Sequence, residues 1–364
     1  MNIILGAGII GLFLGYELLK KGKSVKIFDT NTIKAKSTDA SVGMLAPLIE
    51  AKPQENKLFD LMIESKYIWD KLKENKEFSK SVGLKDNSSL MVALNKDDEE
   101  KLKFKKEFFK LLGFKTFFLS SKKTLDLEPN LNSNVTTSLF CDKQDQVNPI
   151  YLKKFLYNKI KDLGGEIVID KQINKISLAK NKVMFNNLKF EFEKIIIACG
   201  VWSSNIIYNS FGLKFPSRPL KGTSLVLKAS KQMFNHNLWF RNIYIAQREN
   251  GIFAVGATEE EKGFESSIRM DELYFLINSL WESIPNLEDI ELKGIKVGLR
   301  PAVYDGSPVI GPLTQVSPNV ICNFGHYRNG ILLAPVSSRI ASEYIFDKVI
   351  KKEYEFFSPN RFKL

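Results

Sequence analysis

The feature that most constrains this chain lies at its start, where the apolar run Asn2-Ile3-Ile4-Leu5 leads straight into Gly6-Ala7-Gly8-Ile9-Ile10-Gly11. A short buried strand, a turn with three glycines, a helix over residues 9–21 and a second strand over residues 24–29 make a βαβ opening. The glycines permit a tight turn, let the backbone approach a pyrophosphate and allow close helix packing, while the helix N-terminus supplies N–H groups and positive potential. Asp29, ending the second strand, is placed to accept from a ribose hydroxyl. Gly6, Gly8, Gly11 and Asp29 together predict a dinucleotide site, without separating NAD from FAD.

Composition narrows the class of protein. A chain of 364 residues is long enough for one large or two medium domains. The apolar opening contains glycines and no preceding basic segment, and no other stretch reaches the roughly 18 apolar residues of a membrane helix, so no membrane partner is expected. Three scattered cysteines, Cys141, Cys199 and Cys322, build no disulfide framework and fit a reducing, cytoplasmic setting. His236 and His326 are the only histidines, which leaves little from which to build a metal site or a Ser-His-Asp triad. No metal is expected.

The net charge of +12 is carried by lysine, which outnumbers arginine 45 to 8. Residues 97–114 show how that lysine is used: acids lead, bases follow, and Phe104, Phe108, Leu111 and Leu112 predict the apolar face of an amphipathic helix. The excess therefore reads as a solvated surface rather than a nucleic-acid site. In so lysine-rich a chain, an arginine marks a place where the bidentate guanidinium fork is wanted, a structural ion pair being the ordinary alternative. Arg300 and Arg328, both in Gly/Pro-rich turns, are the candidates for carboxylate recognition.

Further along, a helix is expected over residues 148–164, strands over 166–170 and 194–200, a hairpin over 181–193, a helix over 270–284, a strand over 319–324 and a last helix from Ala334 to about residue 350. The run Ile195-Ile196-Ile197-Ala198-Cys199-Gly200, a buried strand ending in a small-x-Gly turn, recurs in FAD proteins whose sheet is completed late in the chain. Any buried strand with a glycine stop would read the same way.

Five segments in order, Gly43-Met44-Leu45-Ala46-Pro47, Ala198 to Ser203, Val255 to Glu260, Gly298-Leu299-Arg300-Pro301 and Gly325 to Pro335, resemble the glycine oxidase branch of the D-amino-acid oxidase family. The resemblance runs from residue 3 to about residue 350. It implies that Gly6, Gly8 and Gly11 hold the FAD pyrophosphate and that Asp29 holds the ribose, through a shorter side chain than the usual Glu. It places Ser41, Gly43 and Met44 beside the flavin ring, with Met44 also facing substrate. Ile173 would lie near adenine, Gly200 and Trp202 along the cofactor, and Gly325, His326, Arg328, Asn329, Gly330 and Ile331 around the pyrimidine end of the flavin. Arg300 would grip the substrate carboxylate with Tyr244, and Arg328 would border the site.

Read without the resemblance, Tyr244 is a core aromatic, and His326 either packs on the flavin or satisfies a buried backbone group. Asn242 stands where the family often has His, so amine preference can differ. Residues 301–312 hold no Cys to link a flavin, so FAD is expected to be noncovalent.

The expected fold is α/β: a Rossmann-like FAD-binding domain from residues 1–80, 146–217 and 298–364, with an inserted antiparallel-sheet substrate domain from 81–145 and 218–297. The resemblance implies oxidation of glycine or another small amine-bearing acid to its imine, with oxygen reduced to hydrogen peroxide and the glycine imine feeding thiamine thiazole synthesis. Hydride leaves a neutral amine directly, so no catalytic side-chain base is required. An amine or D-amino-acid dehydrogenase passing electrons to a quinone or carrier is the alternative, as is a flavoprotein acting on a modified tRNA base. Family members are commonly tetramers, and a homotetramer is expected.

Overall fold

The computed structural model describes residues 1–32, 35–85, 87–170, 173–179, 182–185 and 188–363. Its first sheet has six strands in the order Val309–Pro312, Val320–Phe324, Lys194–Ile197, β1 (Asn2–Leu5), β2 (Val25–Thr30) and Glu166–Asp170. All neighbours are parallel except the edge strand Val309–Pro312, which runs against Val320–Phe324. Parallel strands covered on both faces are apolar throughout, and β1 and Lys194–Ile197 are buried along their whole length. Alternate residues go to opposite faces: Ile4, Ile27 and Ile196 pack on the helices α1 (Ile9–Lys20), Pro149–Asp162 and Gly330–Ile345. Ile3, Leu5, Ile195 and Ile197 pack with Phe28 on Val183 and Phe185 of a small three-stranded sheet.

The second sheet has eight strands in the order Glu291–Val303, Ser217–Lys228, Ile252–Gly256, Tyr244–Gln247, Asn237–Trp239, Ser89–Ala93, Thr137–Cys141 and Phe117–Ser120. It is antiparallel apart from the parallel pair Asn237–Trp239 with Ser89–Ala93. The strand period of two separates its faces. Leu225, Leu227, Ile245, Phe253 and Val255 point to the helix Met270–Ser283, where Leu276 and Leu280 meet them. Several of the intervening positions on the other face, which also carries Tyr244, are small: Gly222, Ser224, Ala246, Ala254 and Gly256. That asymmetry leaves room for a cavity between the sheets.

Three expectations need correction. The strand Glu291–Val303 stays paired with Ser217–Lys228 past residue 298, so the expected boundary there falls inside a strand. The helix Lys96–Leu111 buries Asp98, Leu102 and Phe109; of the expected face, Phe108 and Leu112 pack partly buried on the core, while Phe104 and Leu111 are exposed at 64% and 85%. Its inward stripe includes polar side chains, which hides it from a hydrophobicity pattern.

The final helix starts at Gly330, not Ala334, and ends at Ile345, with Pro335 inside it. A proline there disrupts the local hydrogen-bond ladder; beside it the Leu332 carbonyl accepts from Ser65 Oγ at 2.5 Å and Trp69 Nε1 at 2.9 Å. The paired strands Lys182–Phe185 and Leu188–Glu191 form the expected hairpin, although Asn181 and the turn at 186–187 lie outside the described residues. Among the described residues, no helix is long and apolar enough to cross a membrane.

Candidate active site

A cavity of about 560 Å³ runs between the two sheets, from the turn after β1 to the small-residue face of the second sheet. At its first end Gly6 has φ +106°, and a Cβ there would lie 2.4 Å from the Ala198 carbonyl oxygen. The Ala7 N–H donates to Asp29 Oδ2 at 3.0 Å, and Ile9 N–H to Thr38 Oγ1 at 3.1 Å. Asp29 Oδ1 accepts from Thr30 N–H at 2.7 Å and Lys36 Nζ at 3.0 Å. The carboxylate thus faces the cavity while also bracing the glycine turn. A Cβ at Gly8 would meet only Thr38 Oγ1, at 3.5 Å. The space over the N-terminus of α1 is therefore a cradle that only a residue without a side chain leaves open, and it suits the phosphates of a dinucleotide. Ile173, Gly200 and Trp202 line the same end.

The middle of the cavity is formed by Ser41, Gly43 and Met44 on one side and by His326 to Ile331 on the other. Gly43, with φ +79°, turns the chain into the short strand Met44–Leu45, and its Cβ would lie 2.2 Å from the Val147 carbonyl oxygen. Arg248 fixes this turn by donating to the Val42 carbonyl and, at 2.6 Å, to Gln146 Oε1. Gly11 and Gly325 do not reach the cavity. A Cβ at Gly11 would meet the Gly6 carbonyl oxygen at 1.9 Å, and one at Gly325 would meet Val303 Cγ2 at 2.6 Å, so both shape the backbone beneath the site.

His326 is buried and its Nε2 bonds Ser337 Oγ at 2.8 Å. Burial lowers its pKa to about 3, so the ring is neutral in the fold. An unfolded histidine takes up a proton below about pH 6.5 and this one does not, so acid favours the unfolded chain. Between about pH 5.5 and 4 the stability attributable to this group should fall by ~1.4 kcal/mol per pH unit. Thermal melts of His326→Gln, which keeps a hydrogen-bonding side chain, should show a correspondingly shallower acid slope than wild type. Parallel slopes would place the acid sensitivity elsewhere.

At the far end stand Arg300, Tyr244, Arg328 and two acids. Arg300 Nη1 donates to the carbonyls of Thr258 at 3.0 Å and Lys221 at 3.2 Å, and no carboxylate pairs with it among the described residues. Tyr244 stacks on Trp239 with centroids 4.9 Å apart; burial raises its phenol pKa, while the nearby charge of Arg300 opposes the rise. Arg328 differs. Its guanidinium is 3.2 Å from both Glu50 and Glu259; burial opposes its charge, but Glu50, Tyr327 and Glu259 hold the pKa above the ordinary value.

The structural ion pair thus accounts for Arg328, which lines the cavity with its charge already met. The geometry brings Lys36, Thr38, Glu50, Lys105 and Glu259 into the cavity as well; none was named as a site residue from the sequence, although Glu259 lies in the segment Val255 to Glu260 that carries the resemblance. Burial lowers the pKa of Lys105, and its Nζ donates to the Ile49 carbonyl at 3.2 Å.

The family model for FAD dependent oxidoreductases matches residues 2–344. The chain belongs to this FAD dependent oxidoreductase family. It is an enzyme with FAD as cofactor, and the open cradle at Gly8 together with the α1 N-terminus fits that group. The glycine oxidase of Bacillus licheniformis is 26% identical over 366 residues, covering 99% of this chain and 97% of its own. That of Bacillus subtilis is 24% identical over 354 residues, covering 97% and 94%. The crystal structure of glycine oxidase from Geobacillus kaustophilus shares the fold, with a TM-score of 0.91 at 23% identity and coverage of 99% and 98%. The FAD dependent oxidoreductase family thus accounts for the Rossmann-like sheet, the separate second sheet and the cavity between them.

Proposed function

We propose that this enzyme oxidises glycine or another small amine-bearing carboxylic acid to its imine, with molecular oxygen as acceptor and hydrogen peroxide as product. One observation carries the reading. Arg300 is a guanidinium at the end of the cavity, held by two backbone carbonyls, beside a phenol and without a carboxylate partner among the described residues. Such a group is suited to an incoming carboxylate, with which it makes charge-assisted hydrogen bonds.

FAD, when bound, supplies the two-electron redox chemistry. The protein's contribution is orientation. Arg300 and Tyr244 fix the carboxylate, Met44, Met91 and Trp239 give that end of the cavity apolar lining, and in the Glu50–Arg328–Glu259 set the charge of Arg328 is already met. No side chain is required to take a proton from carbon if the amine loses hydride while neutral. Cys199 lines the cavity at the Asp29 end, away from Arg300, and burial raises its thiol pKa; both facts support noncovalent flavin. The reading extends to glycine imine as a precursor of the thiamine thiazole, as the resemblance implies, and to a homotetramer in solution.

Glycine added without air is expected to bleach the flavin, and admitting air should restore the colour with about one peroxide per flavin. Flavin that bleaches but stays reduced in air would point to a quinone or carrier as acceptor. Flavin that no small amino acid bleaches would overturn the proposal.

A further inference from the structure

The guanidinium of Arg300 occupies the space where residue 222 would carry a side chain. A Cβ built on Gly222 would lie 2.4 Å from Arg300 Nη1 and 2.5 Å from both Cζ and Nη2. The same relation holds at the neighbouring aromatic, where a Cβ on Gly256 would lie 2.7 Å from Cε2 and Cζ of Tyr244 and 2.8 Å from its hydroxyl. Neither glycine has the positive φ that would demand glycine for its backbone, and both sit within regular strands. In each case the crowded atoms belong to the far end of a movable side chain, so an added methyl would displace that side chain and leave the backbone in place.

The strand beneath Arg300 is also pinned from behind. Alternation sends the side chains of Lys221 and Thr223 to the opposite face from position 222. There Lys221 Nζ pairs with the buried carboxylate of Glu272, and Thr223 Oγ1 donates to its other oxygen at 2.5 Å. Thr223 N–H donates to Thr258 Oγ1 at 2.9 Å, and Thr258 N–H to the Thr223 carbonyl at 3.1 Å. The two carbonyls that hold Arg300, those of Lys221 and Thr258, are thereby tied to one another and to the helix Met270–Ser283.

We propose that Gly222 and Gly256 are positioning residues, whose missing side chains form the seats of the Arg300 guanidinium and the Tyr244 ring. The proposal rests on the reading of Arg300 as the group that receives the substrate carboxylate. Gly222 lines the cavity wall under the guanidinium, and Gly256 is not part of that lining. Each acts through the side chain lying over it, and the Lys221–Thr223 segment, anchored on Glu272, keeps the first seat rigid.

The test uses the flavin-loaded enzyme and glycolate, a carboxylate with hydroxyl in place of amine, whose binding is followed through the flavin spectrum. Gly222→Ala should fold, keep its flavin and weaken glycolate binding at least about tenfold, because a clamp displaced by about 1 Å forfeits most of its contact. The KM for glycine should rise more than kcat falls. In an Arg300→Ala background, adding Gly222→Ala should change glycolate binding by less than about twofold, since a residue acting only through Arg300 has nothing left to act on. Gly256→Ala should behave likewise against Tyr244→Ala.

A folded, flavin-loaded Gly222→Ala enzyme with wild-type glycolate affinity, or effects of Gly222→Ala and Arg300→Ala that simply add, would overturn the proposal. If Gly222→Ala does not fold, the double variant, in which the methyl occupies the vacated space, must fold and hold flavin. A double variant that also fails would overturn it. Wild-type enzyme indifferent to glycolate would instead overturn the carboxylate reading itself, and the proposal with it.

Discussion

Valine at position 8 is expected to give a folded protein that holds no flavin. Gly8 has φ −74° and ψ 177°, a conformation open to any residue, so the backbone does not require glycine there. The nearest atom to an added Cβ is Thr38 Oγ1 at 3.5 Å, an ordinary contact. The side chain would project instead into the cradle over the α1 N-terminus, where unpaired helix N–H groups would meet the pyrophosphate. Gly11→Ala provides the contrast. Its Cβ would lie 1.9 Å from the Gly6 carbonyl oxygen, backbone against backbone, and relief requires the helix to leave the sheet. The first variant should therefore lose cofactor with its circular dichroism spectrum intact, and the second should lose the fold. Flavin released by heating and measured in the supernatant decides the matter: a Gly8→Val protein that stays yellow would show that the phosphates do not pass this position.

The difference between these two glycines was only half legible in the sequence. A strand, three spaced glycines, a helix and a strand ending in Asp29 are local features, each set by residues within about 30 positions of one another. Periodicity and turn chemistry read such features well. The spacing placed Gly6, Gly8 and Asp29 at the cavity and gave close helix packing as one role of the glycines, but it did not assign that role to Gly11, which depends on where the Gly6 carbonyl points.

Long-range features escaped for related reasons. The inward stripe of the helix Lys96–Leu111 carries Asp98, whose Oδ2 accepts from the Leu94 N–H at 3.3 Å. A carboxylate reads in sequence as solvent-facing, and so Phe104 and Leu111 were placed on the apolar face together with Phe108 and Leu112, which do pack on the core. Arg328 is the same problem at the site. Its partners Glu50 and Glu259 are 278 and 69 residues away in the chain, so its fork looked available when it was already engaged. Composition and turn context made Arg300 and Arg328 alike as carboxylate candidates; the resemblance gave them different roles, and the contact set shows one fork held by carbonyls and the other already paired with two carboxylates.

That separation makes Arg300→Ala the sharpest probe of the reaction. The variant is expected to raise KM for glycine far more than it disturbs folding. Removing the charged partner of a carboxylate costs on the order of 1.5 to 3 kcal/mol, or roughly ten- to over a hundredfold in kcat/KM. The fold should tolerate the change, because the Lys221 carbonyl that loses the guanidinium still accepts from the Glu260 N–H at 2.9 Å, and the pairing with the strand Ser217–Lys228 is a backbone matter. Arg300→Lys should also be impaired. An ammonium can replace the charge but not the planar fork, which has to reach two carbonyls on one side and a carboxylate on the other. Melting temperature and flavin content close to wild type, with the loss confined to carboxylate-bearing ligands, is the pattern a clamp produces. Wild-type kinetics in both variants would make Arg300 structural, and the enzyme would then be free to act on an amine that carries no carboxylate.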